Sequence, residues 1–457
     1  MPADILTGYN VHTDADRAKM LGAMGKETIA DLFTEVPEHL RVDGLLDLPP
    51  AMTEWQLERH IRELAGRNDT TIDHLSFLGG GAYEHHVPAV IDAIATRGEF
   101  LTAYTPYQPE MAQGILRFLH DFQITMGRLL GLPAVNCSVY DGATALAESA
   151  WMTCRITGKK HLLIAESIWV EYQTVLETYL RGRGVTIEVV RSDEESGQID
   201  SDHLSECIQS ETSAFLFQSP NRYGVVENMT QIGNICHDQG IMNVMASYPI
   251  LFGLKKSPGD SGVDIAVCEG QPLGMHLNAG GPYLGIIATK TEFEGHLPGR
   301  IVGECNDLKG EDALALVKEE REQHVARHEA TSHICSNQAN LALRALIYLS
   351  LLGERGFRNV AELSARKARY LEQRLTAVEG VSRVFSGPFF NEFLLNLPRP
   401  AADVLATLRE QKIFGGIPMT QLDPEAPDNQ LLIAVTETKS QADLDHMVEV
   451  FAAAIEI

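Results

Sequence analysis

The feature that most constrains the fold is a series of short apolar runs between residues 76 and 320. Most of these runs are separated by stretches long enough to form a helix. The runs cover residues 134–139, 161–165, 186–190, 214–217, 241–246, 264–268 and 283–289. Apolar strands that alternate with helices are typical of a mainly parallel sheet with helices on both faces. The sequence therefore predicts a large α/β domain over residues 76–320.

The segments on either side of this domain have a different pattern. Residues 1–75 are rich in Leu, Glu and Arg, and residues 53–68 carry apolar side chains at helical spacing, so we expect an N-terminal helical arm. Helices and short strands beyond residue 320 predict a smaller C-terminal α+β domain over residues 321–457. In this part of the chain we expect helices at about 311–330, 340–352, 361–378 and 440–456, and strands at 390–398 and 430–438.

The charge and the cysteines exclude several classes of function. A net charge of −25 argues against binding to nucleic acid or to anionic membranes, because both need clustered Lys and Arg. The seven cysteines are scattered without a C-x-x-C pair, which fits a reducing compartment. The longest apolar stretch, residues 341–353, contains Arg344 and is too short to cross a membrane. With no secretory signal in the first residues, we expect a cytoplasmic protein.

The stretch SVYDGATALAESAW, residues 138–151, predicts the end of a strand, a turn with a glycine, and a helix that starts near Thr144. Free N–H groups and the helix dipole favour an anion at such a start. Gly142, Ala143 and Thr144 are therefore a candidate phosphate site. The alternative is an ordinary turn capped by Asp141 or Thr144.

A second candidate is the stretch FLTAYTPYQPEMAQG, residues 100–114. Its two prolines remove backbone donors and favour an extended chain before them, so the sequence predicts a rigid loop. The loop presents Tyr104, Tyr107, Gln108 and Glu110, and rigid polar loops commonly carry binding residues. The alternative is a packing loop whose polar groups are satisfied locally.

The remaining polar candidates are weaker. Asn221 follows a buried strand, and ligands of open α/β sheets bind beyond the carboxyl ends of the strands. A plain turn is the alternative, because Asn and Pro favour turns. His324 and His328 have the spacing of a helical metal pair, but no third ligand is near. We expect a solvated helix face there and no metal site.

Taken in order, several long stretches resemble the first chain of the two-chain glycine decarboxylases, the P-proteins of the glycine cleavage system. They include FLGGGAYEHHVPAVIDAI, EFLTAYTPYQPEMAQG, SVYDGATALAE, QSPNRYGVVE, EGQPLGMHLNAGGPYLG, LPGRIVGE, SGPFFNEF and VTET. The resemblance covers nearly the whole chain. It implies the type I fold of the transferases that depend on pyridoxal phosphate (PLP), with a large α/β domain and a smaller C-terminal domain.

The resemblance also implies that this chain does not hold PLP covalently. The catalytic partner carries its cofactor lysine at the position that matches Gln271, and an amide cannot form an imine. The Asp that pairs with the pyridine nitrogen in this fold is replaced by Met245. A relict cofactor site would then include Gly142, Ala143, Thr144, Asn221 and Gln271.

The expected function is therefore that of a subunit with no catalytic residue of its own. The resemblance implies a partner, glycine decarboxylase subunit 2, which binds PLP and decarboxylates glycine. The aminomethyl group would pass to the lipoyl arm of H-protein, and the assembly would be a heterodimer that doubles to α2β2. Tyr104, Tyr107, Gln108 and Glu110 would complete the partner's substrate pocket.

Two alternatives stay open. The chain would be a purely structural subunit if the loop contributed nothing to turnover. It would be an independent PLP enzyme if another lysine took over, and Lys255, Lys256 and Lys290 are the lysines nearest to the relevant strands. None of the three lies in an apolar stretch that would lower its pKa.

Overall fold

The computed structural model describes residues 11–42 and 46–456 of the chain. The chain divides into two compact units, Met1–Asp69 and Thr70–Ile457. Nothing in the described residues forms a helix long and apolar enough to cross a membrane.

The first unit is helical, as predicted for residues 53–68. It contains the helices α1, Asp14–Ala23, and α2, Glu54–Ala65. Each begins with a capping box, in which a threonine hydroxyl accepts from the third backbone N–H and that third residue accepts in return from the threonine N–H. Among the described residues of this unit only Leu21 is buried, so the helices are held mainly by their caps and local hydrogen bonds.

The second unit contains two larger sheets and two short ones. Its strands are β1 Leu75–Ser76, β2 Ala134–Val135, β3 His161–Ala165, β4 Thr186–Val190, β5 Thr212–Ser219, β6 Met242–Ser247, β7 Ile265–Glu269, β8 Gly285–Thr289, β9 Ile301–Asn306, β10 Asp312–Val317, β11 Ser382–Arg383, β12 Glu392–Asn396, β13 Ile413–Phe414, β14 Ile417–Pro418 and β15 Gln430–Ala434. Its helices are α3 Ala89–Ala95, α4 Gly98–Leu101, α5 Gln113–Leu130, α6 Gly142–Thr157, α7 Val170–Leu180, α8 Ser201–Cys207, α9 Met229–Asp238, α10 Gln323–Ala326, α11 Ala339–Leu375, α12 Ala401–Glu410, α13 Met419–Leu422 and α14 Gln441–Glu456.

The large sheet confirms the α/β prediction. Its strand order is β2-β8-β7-β6-β5-β3-β4. The five strands from β3 to β7 run parallel. At one edge, β8 pairs antiparallel with β7, and β2 pairs antiparallel with β8. All residues of β5, β6 and β7 are buried, which explains why apolar residues follow one another in these strands instead of alternating with exposed polar ones.

A smaller sheet with the order β11-β12-β15-β14 packs against α12 and α14 around its own core. The long helix α11 reaches both cores: Ala342 and Tyr348 lie in the large core, and Ala368 and Leu371 lie in the small one. Gly353, with φ of 58°, interrupts this helix. A domain boundary near residue 320 stays a prediction.

The prediction of a helix at about 311–330 is wrong. Strands β9 and β10 form an antiparallel hairpin there, and only short helical turns follow it. The left-handed backbone of Lys318 and Arg327 stops any longer helix. The alternation in DALALV and the glycine at 310 are hairpin signals that the nearby charged residues obscured. Because α10 ends at Ala326, His324 and His328 do not share a helical face.

Candidate functional site

The carboxyl ends of β5, β6 and β7 meet the N-terminus of α6 at one edge of the large sheet, the place where open α/β sheets bind ligands. The space at this edge is a cavity of only about 20 Å³, room for roughly one water molecule. Aromatic side chains take up the rest. The cavity is lined mainly by Tyr83, Trp169, Tyr172 and Tyr248, with Gln218 and Glu269.

Gln271 follows β7 and is fully buried. Its Oε1 accepts the backbone N–H of Tyr83 at 3.0 Å, and its Nε2 donates to the backbone oxygens of Tyr83 and Met275, both at 3.0 Å. Every one of these bonds joins the amide to backbone. Gln271 therefore acts as a clamp between the loop at Tyr83 and the turn after β7.

Glu269, the last residue of β7, places a carboxylate at the start of α6. One of its oxygens accepts the N–H of Gly142 at 3.0 Å, and the other accepts the N–H groups of Gln271 and Leu284. Burial raises the pKa of Glu269 to about 7, although these backbone donors lower it. An acid of this protein thus occupies the position where an anion would bind at the helix start.

The rest of the predicted phosphate turn is also capped from within. The Asp141 carboxylate accepts the N–H of Thr144 at 2.7 Å, and α6 begins at Gly142 rather than near Thr144. A Cβ at position 142 would overlap the Tyr172 hydroxyl, so any larger residue would have to displace that side chain. The local geometry matches the capped turn that we named as the alternative.

A second buried acid, Glu392, ties strand β12 to residues 79–83, a stretch that begins with three glycines. It accepts the N–H of Gly80 at 2.8 Å and the hydroxyl of Tyr83 at 2.9 Å. Burial raises the pKa of Glu392 to about 7. Nearby, His85 lies between Glu437, at 2.6 Å, and the hydroxyl of Tyr248.

The sequence analysis did not identify Glu269, Glu392 and Glu437, whose carboxylates form the hydrogen bonds described above. The only signal was their position inside EGQPLG, FNEF and VTET, three of the stretches that carry the resemblance.

Asn221 lies at the predicted strand end, but its side chain serves the turn. The amide nitrogen donates to Gly197 and Glu227, and the amide oxygen accepts the N–H groups of Tyr223 and Val225. Neither Asn221 nor the buried Met245 lines the cavity, whose wall from β6 is made by Ala246 and Ser247.

No lysine lines this cavity, and Lys255, Lys256 and Lys290, the three candidates from the sequence, lie elsewhere. Lys255 and Lys256 are exposed, and Lys290 forms an ion pair with Asp264. The structure therefore gives no support to a relocated lysine. Within the described ranges, no three His, Cys, Asp or Glu side chains converge as a metal site.

The loop residues form a separate, exposed group. Tyr104, Tyr107, Gln108 and Glu110 are all exposed. The Tyr104 hydroxyl is 2.9 Å from that of Ser336. Arg300 donates to the Tyr107 hydroxyl at 3.3 Å and lies over its ring. The structure keeps the four residues on one loop and does not bring them to the 20 Å³ cavity.

The chain matches known proteins over nearly its whole length. The family model of the glycine cleavage system P-protein matches residues 8–451. A relative from Chlorobium phaeobacteroides, named probable glycine dehydrogenase (decarboxylating) subunit 1, is 42% identical over 97% of this chain and 99% of its own. A protein of the same name from Desulfitobacterium hafniense is 41% identical over 96% and 98% of the two chains.

Solved structures agree. A glycine decarboxylase (P-protein) of the glycine cleavage system, in inhibitor-bound form, is 37% identical with a TM-score of 0.88, over 98% of this chain and 99% of the other. The Lactobacillus brevis glutamate decarboxylase shares the fold at 13% identity and a TM-score of 0.68, over 94% and 97% of the two chains. So does a C-DES mutant with glycine covalently linked to its PLP cofactor, at 14% identity and a TM-score of 0.61, over 83% and 96%. The chain belongs to the glycine cleavage system P-protein family.

Proposed function

We propose that this chain is subunit 1 of a two-chain glycine dehydrogenase (decarboxylating) of the cytoplasm. With its partner subunit it decarboxylates glycine and passes the aminomethyl group to the lipoyl arm of H-protein. The observation that carries the proposal is the full-length match to relatives named subunit 1, joined to a ligand edge that is already filled.

PLP, which the family's fold implies, does not fit this chain. The amide of Gln271 is fully hydrogen-bonded to backbone, and Glu269 holds the N–H of Gly142 that a phosphate would need. A cavity of about 20 Å³ is far too small for a pyridine ring. We therefore assign the cofactor, and the electron sink that it supplies for decarboxylation, to the partner subunit.

The contribution of this chain is then the exposed loop. Its prolines hold Tyr104, Tyr107, Gln108 and Glu110 in place, and Arg300 and Ser336 contact the two tyrosines. Such hydrogen-bonding groups would orient substrate at the boundary with the partner, in an α2β2 assembly.

Glycine–bicarbonate exchange tests the proposal. We expect exchange when both purified chains are mixed and none with either chain alone. Release of CO2 from glycine by this chain on its own would contradict the proposal.

A loop variant separates this role from that of a purely structural subunit. Tyr107→Phe and Glu110→Gln should each lower exchange by about 10-fold, the loss of roughly one hydrogen bond, while the complex still assembles. If both variants assemble and turn over like the wild type, the chain serves assembly only.

Incubation of the isolated chain with PLP tests the independent enzyme. We expect no lysine-linked adduct after borohydride reduction. A stoichiometric adduct would show that the chain holds the cofactor itself.

A further inference from the structure

A second and much larger cavity lies against α6, on the side covered by residues 328–334. Its volume is about 610 Å³. Helix α6 contributes Glu148, Trp151 and Arg155, whose spacing of three and four residues places them on one helical face. Tyr140, Tyr179 and Arg183 complete the inner wall. None of these residues belongs to the cavity of about 20 Å³ at the carboxyl ends of β5 to β7 or to the exposed loop.

The charges on this wall do not pair with one another. Glu148 is buried and accepts a hydrogen bond from Ser332 at 2.9 Å. Arg155 donates to the backbone oxygen of His296 at 2.9 Å, but its buried Nε has no partner. The Arg183 guanidinium lies 4.6 Å from the centre of the Trp151 ring. Within the described part of the chain, neither arginine has a carboxylate within 4 Å.

The carboxylate of Glu148 and the guanidinium groups of Arg155 and Arg183 therefore line the same cavity without forming an ion pair. Two guanidinium groups without a paired carboxylate favour an anion, and a carboxylate matches the planar guanidinium in bidentate geometry. Glu148 lines the same space and would repel a simple dianion but would accept an ammonium group. Three aromatic rings, those of Tyr140, Trp151 and Tyr179, offer apolar surface between the charges.

We propose that this cavity binds a free α-amino acid larger than glycine. Its carboxylate lies toward Arg155 and Arg183, its ammonium group toward Glu148, and its side chain against the aromatic rings. Glycine would leave most of the volume empty and would gain nothing from the rings. The site is independent of the proposed decarboxylation, because it shares no residue with the loop.

Calorimetric titration of the complex of both subunits tests the charge pattern. The probe is L-phenylalanine, compared with 3-phenylpropionate, which lacks the ammonium group, and 2-phenylethylamine, which lacks the carboxylate. We expect saturable binding of L-phenylalanine and binding at least about 10-fold weaker for each fragment, as expected for the loss of one charge-assisted bond. Absence of binding, or equal affinity for all three probes, would overturn the proposal.

Two variants locate the site. Arg183→Gln and Glu148→Gln should each weaken L-phenylalanine binding by about 10-fold or more. Arg181→Gln, at an exposed position two residues before Arg183, is the matched control and should bind like the wild type. Circular dichroism checks that each variant folds. Wild-type affinity in a folded Arg183→Gln complex would overturn the proposal, and the fragment comparison decides the matter if a variant fails to fold.

Discussion

Gln271 joins two backbone segments that are 188 residues apart in sequence, so its amide has a structural role of its own. A buried amide whose donor and acceptor are both bonded to backbone is costly to replace, because each lost bond leaves a backbone group unpaired in the interior. The hydrogen bonds of Gln271 therefore give this position a structural function that an amine could not fulfil.

Gln271→Lys should therefore not create a cofactor site. A buried lysine would leave the N–H of Tyr83 without an acceptor and bring a charge into an apolar region. We expect a loss of about 2–4 kcal/mol in the free energy of unfolding and no PLP adduct after borohydride reduction. Urea unfolding and mass spectrometry measure the two. A stable variant that binds PLP covalently would show that the closed cavity is not what excludes the cofactor.

Glu269 should make stability depend on pH. Its pKa is raised from 4.5 to about 7 in the folded protein, mainly by burial and in small part by the Asp141 charge. The folded state therefore holds its proton more tightly than the unfolded state, and stability falls as pH rises from 4.5 toward 7. Above the pKa of the folded state, Glu269 is ionised in both states and the loss of stability stays constant.

Glu269→Gln removes this titration. Between about pH 6 and about pH 8.5, the stability of the variant relative to the wild type should rise by about 1 kcal/mol. At the lower pH the variant should be less stable, because the amide has a single acceptor oxygen, whereas Gly142 and Leu284 donate to two different oxygens of Glu269. Urea unfolding across this range measures the change, and the exposed Glu177→Gln is the control. Parallel pH profiles for variant and wild type would contradict the raised pKa.

At the scale of elements, the sequence predicted what is encoded locally. Each apolar run of the large sheet became a strand, and the helical spacing over residues 53–68 became helix α2, because burial and helical periodicity leave a direct mark in the sequence. The hairpin of β9 and β10 was missed because charged neighbours imitate a helix. The carboxylates of Glu269 and Glu392 could not be predicted as buried, because Gly142, which donates to Glu269, and Gly80, which donates to Glu392, lie more than 100 residues away from them.

The start of helix α6 gives a test at this scale. Asp141→Ala removes the cap on the N–H of Thr144 and should cost about 1 kcal/mol, whereas Asp141→Asn keeps an acceptor and should cost clearly less. Thermal unfolding measures the order of the three proteins. Asp200→Ala removes the corresponding cap of α8 and serves as a reference for the size of the effect. Equal stability of the Ala and Asn variants would mean that the cap does not stabilise the helix start.

At the scale of the whole molecule, the two main hydrophobic cores of the second unit are connected by residues 75–86 and by helix α11. Residues 75–86 begin in the small core, where β1 pairs with β13 and Phe77 is buried, and continue to Tyr83 in the large core. Glu392, from the small sheet, and Gln271, after the last parallel strand of the large sheet, both form hydrogen bonds with this segment. Helix α11 also crosses from one core to the other. These connections favour unfolding of both cores in a single transition.

Leu408→Ala tests this cooperativity from the small core. Leu408 is fully buried there, and its truncation should cost about 2–5 kcal/mol. The chain has three tryptophans, so a background of Trp55→Phe and Trp169→Phe leaves Trp151, which packs against the large core, as the only fluorescent tryptophan. We expect Leu408→Ala to shift the urea midpoint of Trp151 fluorescence together with that of circular dichroism. The reason is that residues 75–86 and helix α11 connect the two cores, so a loss of stability in the small core also destabilises the large one. A fluorescence midpoint that stays in place while the dichroism transition splits would show that the two cores unfold independently.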